Sequence, residues 1–170
     1  MASFRPVSDN RTATVLFRGA IEQYEKTLDI DAGFAEAHFD LAMAHVHCGR
    51  LEEALASARR ALALAPDSLV YAEAVAYTRA LMGCRTDAED LLEELNEQAA
   101  ARYVSPFLRV HLLLALGRID EAFTWLHVAC NERAGEMIYL NVDPDCDSIR
   151  SDPQFERCFD ASVSRLKSTA

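Results

Sequence analysis

The chain has 170 residues, 51% of them apolar, which is long enough for one domain with a real core, and its formal net charge is −10. No segment offers the basic footprint that nucleic acid or anionic lipid requires, and no run approaches the roughly 18 uncharged apolar residues of a membrane span. Gly and Pro are scarce, at 6 and 5, while Ala, Leu, Glu and Arg recur, which is the palette of helix formers and favours an all-α fold.

The opening Met1 to Pro6 has no apolar run of signal-peptide length, so the expected location is cytoplasmic. The five cysteines are odd in number, widely spaced and without a C-x-x-C pair, which suits reduced thiols in a reducing compartment.

Residues 1–13 are predicted to be irregular, because Arg5-Pro6-Val7-Ser8-Asp9-Asn10 strings turn formers together. An amphipathic run follows from Val15 to Ile30. Residues 35–68, 69–102 and 103–134 then form three successive units. Gly49, Gly83 and Gly117 are spaced by 34 residues each time. Five positions after each glycine stand Ala54, Ala88 and Ala122, each preceded by an acid: Glu53, Asp87 and Glu121. Twelve positions after each glycine come Ala61, Leu95 and Ala129, while the two preceding positions vary freely, as a solvated face would.

Each unit reads as helix, tight turn, helix. Glycine ends the first helix because it takes the left-handed conformation at low cost, and the alanine lets the second helix approach closely. Pro66-Asp67-Ser68 closes one unit and caps the next. Thr86 to Glu89 has the form of a capping box, and Ser105-Pro106 supplies a cap and a first-turn proline. Counting back 34 from Ala54 reaches Ala20, so residues 14–34 form half a unit. Either its helix is an N-terminal cap, or the chain is cut from a longer protein.

Residues 135–170 lose the period. A short apolar run from Met137 to Val142 precedes the turn-rich stretch Asp143 to Asp147. A last helix is predicted from Asp152-Pro153, with Phe155, Phe159, Val163 and Leu166 at helical spacing. It is expected to cover the final apolar face of the stack.

These marks resemble the tetratricopeptide repeat. The match is best over Ala35 to Asp67, with Leu41 and Ala42 as the large and small pair, Gly49 as the turn, Ala54 and Ala61 as packing sites and Pro66 as the end. His38, His45 and Arg79 stand where aromatics are usual, and Ala58 where a large side chain is common. The resemblance implies a right-handed superhelix of antiparallel helix pairs, about three and a half repeats plus a C-terminal capping helix. Val142-Asp143-Pro144 and Ile149 to Phe155 are in turn similar to the ends of such regions in bacterial signalling proteins.

The resemblance also implies a concave groove lined by the first helix of each pair. Carried over by position, the lining includes Glu36, Phe39, Asp40, Met43 and His47, then Glu73 and Tyr77, then Phe107 and His111. It contains no lysine or arginine, so an apolar, acid-rimmed trough is expected. Such a trough suits a partner peptide or helix with apolar anchors and basic flanks, not an acidic tail. The competing account is that Phe39, Tyr77 and Phe107 simply pack between helices.

Other constellations carry less. His45 and His47 point about 200° apart on a helix and cannot chelate together, so no metal is assigned. Glu89, Asp90, Glu93, Glu94 and Glu97 form an acidic stripe read as a solvated face. No catalytic grouping and no cofactor motif are found, so an enzyme is not expected. Two functional readings stand: a protein-interaction scaffold, or a regulatory or dimerisation module of a larger bacterial signalling protein, such as a transcriptional regulator, cyclase or kinase. A homodimer through the N-terminal half-repeat is a further expectation.

Overall fold

A computed structural model describes the backbone of residues 11–167 and the side chains of residues 15–160. Most of the segment expected to be irregular lies outside the described residues, as do the side chains of Val163 and Leu166.

Eight α-helices are present among the described residues: α1 Arg11–Ile30, α2 Ala35–His47, α3 Leu51–Leu64, α4 Leu69–Leu81, α5 Thr86–Ala99, α6 Pro106–Ala115, α7 Ile119–Glu132 and α8 Pro153–Lys167. Two 3-10 turns, Gly135–Ile138 and Pro144–Cys146, lie between α7 and α8. The described part is all-α, a helical repeat as the period predicted. It divides into two compact units, with the boundary between Leu91 and Leu92.

The periodic glycines act by one mechanism. Gly49, Gly83 and Gly117 take φ of 72°, 94° and 70°. At each, the glycine N–H donates three residues back and the next N–H donates five residues back: Gly49 to Val46 and Arg50 to His45, Gly83 to Ala80 and Cys84 to Arg79, Gly117 to Leu114 and Arg118 to Leu113. That is the Schellman ending, which satisfies the orphan carbonyls of a helix and turns the chain sharply. The same pair of bonds closes α7, from Arg133 to Cys130 and Ala134 to Ala129, with Arg133 at φ 56°.

Caps set the other ends. Ser68 Oγ accepts from the Tyr71 N–H at 3.4 Å, and Ser105 Oγ accepts from the Phe107 N–H at 3.3 Å. Thr86 does not occupy the cap position that the expected capping box requires. The Arg85 carbonyl accepts from Glu89 N–H at 3.2 Å, so Arg85 occupies the cap position and Thr86 is already helical.

In the first unit, Ile21 of α1 packs with Leu41 and Ala44 of α2, flanked by Phe17, Tyr24 and Leu28. Ala42, Ala58 and Ala74, from α2, α3 and α4, form a second cluster and are fully buried. Three small side chains allow the three helices to approach closely, and Phe39, Met43 and Val75 fill the space beside them. Ala58, where a large side chain is common, is one of these three small contacts.

In the second unit, Ala122, Leu126 and Ala129 of α7 are fully buried. Leu126 and Ala129 share a core with Phe107 and Val110 of α6, and with Met137, Leu140, Cys146, Ile149, Phe155 and Cys158. The aperiodic C-terminal stretch thus buries these six residues against α6 and α7, while Ile138, Tyr139 and Val142 stay exposed. Each large side chain so buried contributes about 1.5–3 kcal/mol.

Arg109 lies within this unit at 2% exposure. Its Nη2 donates to the Leu95 carbonyl at 2.6 Å and its Nε to Asn96 Oδ1 at 3.0 Å. Its guanidinium also stands 4.3 Å from the centre of the Trp125 ring. Burial lowers its pKa, and nearby Glu132 opposes that.

Candidate partner-binding surface

Residues three and four apart share one side of a helix, which puts Glu36, Phe39, Asp40 and Met43 together on α2. Glu36 is exposed and the other three are half-buried. The Phe39 ring lies 5.6 Å from that of Tyr71 on α4, tilted by 38°. The Ser68 cap fixes the first turn of α4 and with it the placement of Tyr71. Phe39 and Met43 rest on the alanine cluster, so the aromatic pair has a tightly packed floor.

The Asp40 carboxylate accepts a hydrogen bond from the Tyr24 hydroxyl of α1. Burial raises its pKa, the Tyr24 bond opposes the rise, and the Glu36 charge adds to it. Burial likewise raises the Tyr71 phenol, with Glu36 and Asp40 contributing. The patch is therefore apolar at its floor and anionic at its edge. A cation brought to Asp40 would relieve both its desolvation and its repulsion from Glu36.

The remaining positions expected in the groove are placed differently. His47 is 8% exposed, its ring 4.6 Å from that of Phe17 on α1. Glu73 and Tyr77 are 4% and 3% exposed within α4. In the second unit Phe107 is 2% exposed and belongs to the core. Its ring meets that of His111 edge-on at 5.2 Å. His111 Nε2 lies 3.2 Å from Asp143 Oδ2. His45 is buried on α2, and the acids of the α5 stripe are all exposed.

Glu36, Phe39, Asp40 and Met43 are thus brought together, and Phe107 and His111 are paired in the other unit. Tyr24 and Tyr71 join the first patch, although neither was expected in it. Tyr71 stands 32 residues after Phe39, two short of the repeat period, so the register that selects Phe39 selects Glu73 on α4 and not Tyr71. One further grouping could hold a metal: His111, Asp143 and Asp145 each offer a ligand atom, all within 4.8 Å of one another.

Residues 17–76 match the family model described as tetratricopeptide repeat. This segment is a tetratricopeptide repeat region. The match takes in α2, α3 and the Phe39–Tyr71 pair, and tetratricopeptide repeats generally mediate protein–protein interaction. Gly83 and Gly117 continue the tetratricopeptide period and its turn geometry beyond the matched residues. No curated protein and no solved structure matches the chain. No described helix is long and apolar enough to cross a membrane.

Proposed function

We propose that the tetratricopeptide segment binds another protein through α2 and α4, taking an apolar side chain against Phe39, Met43 and Tyr71 and a basic one against Asp40 and Glu36. The observation that carries this is the Phe39–Tyr71 pair beside a half-buried carboxylate, with no lysine or arginine among the residues of the patch. Aromatic anchors beside desolvated charge are the usual energetic centre of a protein interface. An amphipathic peptide or helix with apolar anchors and basic flanks fits it, and an acidic terminus does not.

Titration with basic and acidic amphipathic peptides, followed by calorimetry, tests the proposal. The basic peptide binds, the acidic one does not, and Phe39→Ala weakens binding by about 10-fold or more. Asp40→Asn weakens the basic peptide selectively. Unchanged affinity in both variants would move the site away from α2.

A further inference from the structure

We propose that His111, Asp143 and Asp145 form a binding site for one zinc ion or a similar first-row divalent cation, tying the 143–146 turn to α6.

The three side chains come from elements with no shared periodicity. His111 is on α6, and the two aspartates lie 32 and 34 positions further on, at the start of the 3-10 turn Pro144–Cys146. Their ligand atoms nevertheless converge to within 4.8 Å of one another, and His111 Nε2 and Asp143 Oδ2 are 3.2 Å apart. With zinc–ligand bonds of about 2.0–2.2 Å, neighbouring ligand atoms stand roughly 3–3.6 Å apart around the ion. One pair is therefore already at ligand spacing, and rotation of the Asp145 carboxylate can supply the rest.

The carboxylates are held from behind. Asp143 Oδ1 accepts the Asp145 N–H at 2.9 Å, which leaves Oδ2 directed to the imidazole. Arg150 grips the outside of the turn, donating to the Asp143 carbonyl at 2.7 Å, to the Asn141 carbonyl and to Asp147 Oδ1. The Phe107 ring edge steadies the imidazole. Such supporting contacts orient ligands in metal sites.

Charge and access point the same way. The turn carries three carboxylates within five residues, on Asp143, Asp145 and Asp147, and the Arg150 guanidinium bonds to the last of them. A divalent cation offsets that surplus. The side chains of His111 and Asp143 retain 19% and 16% exposure, so an ion can enter and water can complete its shell. One imidazole and two carboxylates suit zinc or its neighbours, whereas calcium and magnesium favour shells of oxygen alone. Cys146 is fully buried and its sulfur is not among the converging ligand atoms, so it is not a fourth ligand.

The test uses the full chain after chelator treatment, titrated with zinc chloride by calorimetry and with cobalt(II) by visible absorption. The expected result is one ion per chain, a cobalt spectrum free of thiolate charge transfer, and a thermal midpoint that rises with zinc. Asp145→Asn keeps the His111–Asp143 contact and should weaken zinc by about 10-fold or more, with the same helical circular dichroism; His111→Gln should do the same. The proposal is overturned if the wild-type chain binds no zinc, if cobalt shows thiolate ligation, or if folded Asp145→Asn binds as tightly as wild type.

Discussion

His45 sits where the family favours an aromatic residue, and the substitution has a thermodynamic signature. The side chain is 6% exposed, and among the described residues its Nδ1 has no hydrogen-bond partner. Burial lowers its pKa, Arg50 lowers it further, and Glu53 and Glu25 oppose. The unfolded chain therefore takes up the proton more readily than the fold does. Below about pH 6.5, the ordinary imidazole value, protonation favours unfolding, so the stability is fully present above that pH and declines as the pH falls towards the lowered native value. Denaturant melts at about pH 7.5 and 5.5 should show this loss in the wild type and a smaller one in His45→Phe. The identity of a residue at an aromatic position was legible in the sequence, but its desolvation was not, because that depends on how closely α2 packs against its neighbours.

At the scale of elements, what could be read ahead was what repeats. The glycines were legible because a Schellman ending needs a positive φ at one position, and the alanines because close helix approach tolerates no larger side chain. Contacts outside the period were not legible. His111 meets Asp143, which lies beyond the last repeat, and Tyr24 reaches Asp40 from the helix before the first full unit. Arg109 was hidden for another reason. A charged residue inside Phe107 to Leu114 reads as solvent-facing, whereas it lies buried between the end of α5 and Trp125 of α7. Its planar fork makes two divergent hydrogen bonds while its face stacks on the indole, which lysine cannot copy. Arg109→Lys should therefore lose about 2–4 kcal/mol, measured by urea unfolding, from bonds to a charged donor and the cation–π contact.

For the whole molecule, charge is the property that local pattern leaves out. With a net charge of −10, the protein attracts a basic partner before any contact forms. If the surface on α2 and α4 binds basic amphipathic peptides, raising the salt from about 0.05 to 0.5 M should slow association several-fold and change dissociation much less. Stopped-flow fluorescence of a labelled peptide reads both rates, and an association rate indifferent to salt would separate binding from the acidic character of the chain.

The buried guanidinium also governs how this protein can be cut into pieces. Arg109 belongs to α6, yet its hydrogen-bond acceptors belong to the last turns of α5 and its aromatic lid to α7. A fragment begun at Pro106 would keep the charge and lose both acceptors, leaving a desolvated cation with nothing to bond. A usable boundary for dissection therefore lies upstream of α5, even though the loop before α6 looks like the natural place to cut.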